Sequence, residues 1–431
     1  MDTILKNEAV LADCKIYQML RAHACAPHLS FHTPGHKVGA WDITELSYSD
    51  NLSCPRGCIM EAEKDIANIL GASKSFLLTD GSTSGILSML YAAKSLGART
   101  VAFCEESHKS VFNGCALLGL TPLLYPAVKK DGIPYAPTMY ALKKENKEVL
   151  AQADALLITS PDYYGNVADL AEIRKYCDEN GKLLLIDGAH GGHLHFDKNL
   201  YAGAYADMWV DGAHKSLPAL TQGAVVSART EKEAAALEKA VDVFRTTSPS
   251  YPIMASVEYA VKYPRNEDLE EAVRAYVIES ERVYPSKDWT KLCVKFGGFA
   301  FEAEKDLEKE GIFAEFCDGN VLTFYLSPAT EMTDFQRLQS ALARLFKKYP
   351  SYVCVETESA VFVTEGEKEW VDLSESVGRI CAGICGLFPP CVPLFQVGER
   401  ITEEKTERLK KAGNVFGLKN GKILVLKEEE I

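Results

Sequence analysis

Between residues 73 and 228 the chain repeats one pattern: a short apolar run, a turn, then a stretch whose apolar residues have helical spacing. The runs at 75–79, 101–104, 155–159, 183–186, 208–210 and 224–227 are nearly continuous rather than alternating. A strand of that kind is apolar on both sides, so both sides must be covered. Helical spacing appears at 85–94, 109–118 and 169–180, the last closed by Gly181. This alternation specifies an α/β fold on a mostly parallel sheet with helices on both faces. Ligands of such sheets bind beyond the carboxyl ends of the strands. Asp80, Glu105, Asp187 and Asp211 stand at those ends, which marks the region of a site.

The second half changes character. Helical spacing at 231–244, 257–262 and 270–283 leads into a strand at 299–303, a helix at 305–311, strands at 313–317 and 321–327, and a helix at 334–347. This predicts a compact α+β lobe over about 266–351. Residues 380–398 carry no charge, but three prolines and three glycines interrupt them. A membrane helix tolerates that poorly, so a buried loop with a short strand is expected. The division expected for 431 residues is an N-terminal segment 1–60, a large domain 61–250 and a small C-terminal α+β domain 251–431.

Hydrophobic residues make up 47% and charged residues 25%, which excludes a disordered or fibrous chain. Lys and Arg number 47 against 60 Asp and Glu, a net charge of −13. Nucleic acid is therefore not an expected partner, since phosphate binding needs a cationic face. The start carries Asp2 and Lys6 with no apolar stretch of a secretory signal, and no membrane span is expected. The 13 cysteines, an odd number without paired CxxC spacing, suit free thiols in a reducing cytoplasm rather than a zinc site.

All nine histidines lie between His23 and His214. Three clusters carry chemistry. The first is Asp187-Gly188-Ala189-His190-Gly191-Gly192-His193-Leu194-His195. Its residues alone allow three readings: a metal site, a solvated glycine-rich loop, or an acid that pairs with a bound cationic ring beside His190. The second is Asp211-Gly212-Ala213-His214-Lys215-Ser216, with Lys215 either a surface lysine or a partly desolvated amine able to form a Schiff base. The third, Asp80-Gly81-Ser82-Thr83-Ser84, sits between a strand and a helix start. Free N–H groups there favour a phosphate, although Ser and Thr are also ordinary caps.

In this order the clusters resemble a pyridoxal-phosphate (PLP) enzyme of fold type I, and within it the Orn/Lys/Arg decarboxylase family. Phe31-His32-Thr33-Pro34-Gly35-His36-Lys37-Val38-Gly39 and Trp41-Asp42-Ile43-Thr44-Glu45-Leu46 are similar to that family's N-terminal signature. Glu105-Glu106-Ser107-His108-Lys109-Ser110 resembles its cofactor-stacking segment, and His214-Lys215-Ser216-Leu217-Pro218 its Schiff-base motif. Thr247-Ser248-Pro249-Ser250-Tyr251 and Phe388-Pro389-Pro390-Cys391-Val392-Pro393 are similar to later segments.

The resemblance implies a PLP-binding large domain with a mostly parallel sheet, a smaller C-terminal domain, and PLP as cofactor. It also implies a small basic amino acid substrate (lysine, arginine or ornithine), a role in polyamine biosynthesis, a homodimer and no resident metal. Lys215 would hold the cofactor, Asp187 would pair with the pyridine nitrogen, and His108 would cover the ring face. Gly81, Ser82 and Thr83 would bind phosphate. His190 would lie beside the ring, and His214 beside the phosphate or the reacting carbon.

The chain departs from the family in two places. Gly212-Ala213 stands where Ser-Thr or Ser-Val often precedes the His-Lys pair, which implies a missing hydroxyl contact. Cys391 replaces a usual glycine. The signature begins at Phe31, so the N-terminal wing and the decamer of larger members are not expected. Asp42 and Glu45 are candidates for the substrate's distal cation; Arg245, Arg344 and Arg379 have no assigned place. An aminotransferase or lyase of the same fold, or a PLP-binding homologue without turnover, is the alternative; a metal hydrolase using His190, His193 and His195 is the remaining one.

Overall fold

The computed structural model describes residues 5–37, 40–130, 133–135, 139, 142–143, 146–350, 352, 367–388, 393–395, 398–412 and 414–427. Val38, Gly39, Pro389, Pro390, Cys391 and Val392 lie outside the described residues.

The first nine strands are β1 (Lys74–Leu78), β2 (Thr100–Cys104), β3 (Thr121–Tyr125), β4 (Val128–Lys130), β5 (Ile133–Tyr135), β6 (Ala155–Thr159), β7 (Leu183–Gly188), β8 (Met208–Asp211) and β9 (Ala224–Ala228). Seven of them form one sheet in the order β1-β9-β8-β7-β6-β2-β3; β4 and β5 pair separately. The five strands from β3 to β8 in that sheet are parallel, and β9 runs antiparallel to both β8 and β1. The α/β expectation holds.

Strand β7 shows why its run is continuous. Leu184 and Ile186 enter the core on one face, and Leu185 enters the core on the other. Each buried side chain contributes about 2 kcal/mol. The Leu185 side is covered by the helices Ser82–Ser95, Lys109–Leu118 and Glu231–Phe244. The opposite side receives Leu11, Ile16 and Leu20 from the N-terminal segment and Tyr251, Met254 and Tyr259 from the helix Tyr251–Lys262. Glu258 of that helix accepts from the N–H groups of Lys15 and Ile16, at 2.6 and 2.9 Å, and so caps the helix Lys15–Cys25. Residues 5–20 and 251–261 thus contribute to the large lobe's core.

The small lobe has an antiparallel sheet of β10 (Lys291–Lys295), β11 (Phe316–Cys317) and β12 (Val321–Tyr325), in the order β10-β12-β11. The strand expected at 299–303 is instead a 3-10 turn, Gly297–Phe299, leading into the helix Ala300–Lys309. Ala300, Ala303 and Leu307 recur at intervals of three and four and share one buried helical face. The strand lies earlier, where Leu292 and Val294 alternate into the core.

Towards the C-terminus, β13 (Lys368–Asp372) pairs with β17 (Lys422–Leu426). The strand β14 (Cys385–Leu387) lies between β15 (Pro393–Phe395) and β16 (Val415–Phe416). Among the described residues no helix is long and apolar enough to cross a membrane.

Candidate active site

A cavity of about 460 Å³ opens beyond the carboxyl ends of the parallel strands. Gly81, Ser82, Thr83, His108, Asp187, His190, His214 and Lys215 all line it. They come from four different strand ends, so only the assembled sheet brings them together.

The turn after β1 delivers the helix Ser82–Ser95. Gly81 precedes it with φ +83°, a conformation that favours glycine, and its side of the helix start has no side-chain cap. The first-turn N–H groups of a 14-residue helix thus meet the cavity. Asp80, one residue earlier, is occupied elsewhere: its carboxylate accepts from Ser84 Oγ and the Thr246 N–H.

After β2, His108 caps the helix Lys109–Leu118. Its Nδ1 accepts from the Ser110 N–H at 3.2 Å and meets Ser110 Oγ at 2.8 Å. Burial, then the nearby Lys215, pushes His108 down to about 4, so the ring is neutral at pH 7.

Asp187 ends β7 and is buried. The Ala189 N–H donates to Oδ1 at 3.2 Å, and Oδ2 has no hydrogen-bond partner among the described residues. Burial raises this carboxyl above its usual range, and Lys215 works against that rise. Three residues on, His190 Nε2 lies 3.1 Å from Lys215 Nζ. Burial first, then Lys215, holds His190 well below the usual histidine range. A neutral His190 accepts from Lys215 and carries its proton on Nδ1, which is buried without a partner among the described residues.

Lys215 sits on the short helix Ala213–Ser216 that follows β8. His214 Nδ1 donates to the Gly223 carbonyl at 3.0 Å, and burial lowers its pKa, which leaves Nε2 unprotonated. Gly212 explains the departure noted in the sequence. A Cβ there would lie 2.5 Å from the Ala189 carbonyl oxygen, so the turns after β7 and β8 are closer than any side chain at 212 allows. Gly212→Ser is expected to displace one turn and to cost about 1–3 kcal/mol. Thermal unfolding checks this; an unchanged midpoint would show that the turns yield freely.

Of the four acids at strand ends only Asp187 reaches the cavity. Asp211 is buried and does not line it, its Oδ2 accepting from Tyr201 Oη at 2.6 Å and Trp209 Nε1 at 3.1 Å. Glu105 accepts from the Ala127 N–H. Asp42 pairs with His36, Glu45 accepts from Thr44, and neither lines the cavity. His193 and His195 take separate partners, Asp288 and the Gly192 carbonyl.

The cavity also has a wall that sequence reading missed. Glu106, Asp162, Tyr163, Glu315 and Arg408 line it. Asp162 follows β6 and could have been found as one more acid at a strand end. Burial pushes it up to about 7 despite its bonds from Asn166 and the Tyr164 N–H. Glu315 accepts from Tyr163 Oη at 3.0 Å. Glu315 and Arg408 come from distant segments, and no local signal marks them.

These residues fit PLP. An uncapped helix start suits a phosphate, and a buried carboxylate with one open oxygen suits a protonated ring nitrogen. The Lys215 amine lines the same cavity.

Over residues 40–287 the chain matches the family model described as Orn/Lys/Arg decarboxylase, major domain, and over 339–411 that of the C-terminal domain. It is 30% identical to the uncharacterized protein YaaO of Bacillus subtilis (strain 168), over 96% of this chain and 99% of that one. Arginine decarboxylase of the same organism is 26% identical, over 90% and 91%. The solved structure of E. coli constitutive lysine decarboxylase superposes with a TM-score of 0.70 at 19% identity, covering 96% of this chain and 82% of that one. The fold is that of PLP enzymes of fold type I. With its major-domain match spanning more than half its length, the chain belongs to the Orn/Lys/Arg decarboxylase family.

Proposed function

We propose that the protein decarboxylates lysine, arginine or ornithine with PLP as cofactor. The observation that carries this reading is the grouping of Lys215, Asp187 and the Ser82–Ser95 helix start around one cavity. When bound, PLP supplies an electron sink for the bond to the departing carboxylate.

The chain's own residues do the rest. Backbone N–H groups at Ser82 and Thr83 hold the phosphate. Asp187 holds a proton on the pyridine nitrogen. His108, neutral and desolvated, would border the cofactor without adding charge. Lys215 Nζ would hold the cofactor and would be placed to deliver a proton at the substrate Cα. His190 steadies that amine by accepting from it, and His214 borders the same space. Besides Asp187, the acidic side chains of Glu106, Asp162 and Glu315 line the cavity with Arg408, which favours a substrate with a second, distal cation. A cytoplasmic homodimer belongs to the same proposal. Leu29 and Phe31, 87% and 92% exposed, support an interface near the N-terminal signature.

Arg408 favours a second reading. An aminotransferase clamps the substrate carboxylate with arginine. Arg245 is tied to Glu63 and the Leu77 carbonyl, Arg344 to Glu310 and Arg379 to Glu369, whereas Arg408, whose Nε donates to the Asp318 carbonyl at 2.9 Å, lines the cavity. Purified PLP-loaded protein is to be assayed with lysine, arginine and ornithine for CO₂ and, in parallel, for keto acid. Release of CO₂ from one of them is expected. Keto acid without CO₂ would transfer the assignment to the aminotransferase reading.

A further inference from the structure

Four polar side chains at the seam between the lobes have no part in the chemistry above. His193, Asp288, Thr290 and Lys291 are 2%, 0%, 0% and 1% exposed. The strand pattern explains how a lysine comes to be buried there. Leu292 and Val294 enter the small-lobe core, so Lys291 and Cys293 take the opposite face of β10. On that face Cys293 Sγ donates to the Tyr164 carbonyl of the large lobe.

An ammonium buried to this degree is unfavourable unless it is paired. Lys291 Nζ donates to Thr290 Oγ1 at 2.9 Å and lies 3.4 Å from Asp288 Oδ2. Asp288 Oδ1 accepts from Thr290 Oγ1 at 2.7 Å and meets His193 Nε2 at 2.8 Å. His193 stands on the turn after β7, three residues beyond His190. The anchor of Lys291 is therefore tied to the turn that carries the cofactor-facing histidine.

Sheet register aims the charge. Lys291 and Tyr325 are direct cross-strand partners in β10 and β12, and the ammonium lies 4.3 Å from the Tyr325 ring centroid. The edge-to-face contact between Tyr325 and His190 has a centroid distance of 5.5 Å. A single ring thus touches both the Lys291 ammonium and the imidazole that meets Lys215.

We propose that Lys291 is a positioning residue whose anchored ammonium sets, through space, the proton balance of the Lys215–His190 pair, with Asp288 tempering its field. This rests on Lys215 being the cofactor lysine. Other groups face His190 as well. Lys215 and His214 do so from the helix after β8, and His108 from the turn after β2. Tyr163 packs against it from the turn after β6, which also carries Asp162, and Asp187 ends its own strand. Among them Lys291 is the cation supplied by the small lobe, and its field adds to that of Lys215 in disfavouring a charged His190.

The test is the visible absorbance of the PLP-loaded protein as a function of pH. Removing a buried cation favours protonation nearby, so Lys291→Met is expected to raise the midpoint by about one pH unit. Lys291→Arg retains the charge and is expected to restore the wild-type midpoint. Asp288→Asn unmasks the ammonium and is expected to lower the midpoint. A role in packing alone would not produce shifts of opposite sign. Midpoints that move the same way, or do not move, would overturn the proposal. If Lys291→Met does not fold, Asp288→Asn decides: a lowered midpoint supports the role, and an unchanged or raised one refutes it. Absence in the wild type of a visible band that Lys215→Ala removes would refute the cofactor assignment itself and the Lys291 role with it. A normal band unmoved by either substitution refutes the Lys291 role alone.

Discussion

Lys215→Ala is expected to reduce CO₂ release by ~10³-fold or more and to remove the borohydride-sensitive visible absorbance of the PLP-loaded protein. Lys215 Nζ is the amine that lines the cavity beside His190, and alanine keeps neither its nucleophile nor its proton. The side chain is only half-buried, and its helix is held by backbone bonds such as Lys215 N–H to the Gly212 carbonyl. The thermal midpoint should therefore move little. Loss of chemistry without loss of fold separates a nucleophile from a structural lysine. Activity within tenfold of wild type would remove Lys215 from the mechanism.

Asp187→Asn is expected to lower kcat/KM by ~10²-fold or more while PLP remains attached. Asparagine preserves the shape and the acceptor for the Ala189 N–H, but it cannot hold a positive charge on the ring nitrogen. Stability gives an independent readout. In the PLP-free protein burial raises the Asp187 carboxyl above its unfolded value. Its contribution to stability is complete below the unfolded pKa and is lost as pH rises through the folded one. Above the folded value the ionised group is a burden that a cationic ring would relieve. PLP should raise the thermal midpoint of the wild type more than that of Asp187→Asn. Equal increments would mean that Asp187 does not face the ring.

How far the sequence leads depends on the range over which each feature is encoded. The runs of β6 and β7 could be located to within a residue or two, because strand periodicity and a Gly181 cap are written within about ten residues. The clusters around Gly81, His108, Asp187 and Lys215 were legible for the same reason: each is a strand end followed by its turn. The strand at 299–303 was misplaced because a short apolar stretch after Gly297-Gly298 suits either period. Helix packing of Ala300, Ala303 and Leu307 decided it.

The sequence by itself determined the layered α/β plan and the family, and the eight residues to which the resemblance gave cofactor roles line one cavity. Only the tertiary structure decided which strand-end acids are free to act. Asp80 and Asp211 look equivalent to Asp187 in sequence, yet Ser84 and Thr246 engage both oxygens of Asp80, and Asp211 is buried away from the cavity with its Oδ2 bonded to Tyr201 and Trp209. It also brought Glu315 and Arg408 to the cavity, and Lys291 to within one ring of His190. Periodicity and turn chemistry act between near neighbours and can be read locally. Contacts such as Asp80 with Thr246 and His193 with Asp288 are fixed by packing between segments far apart in the chain, and local patterns do not specify them.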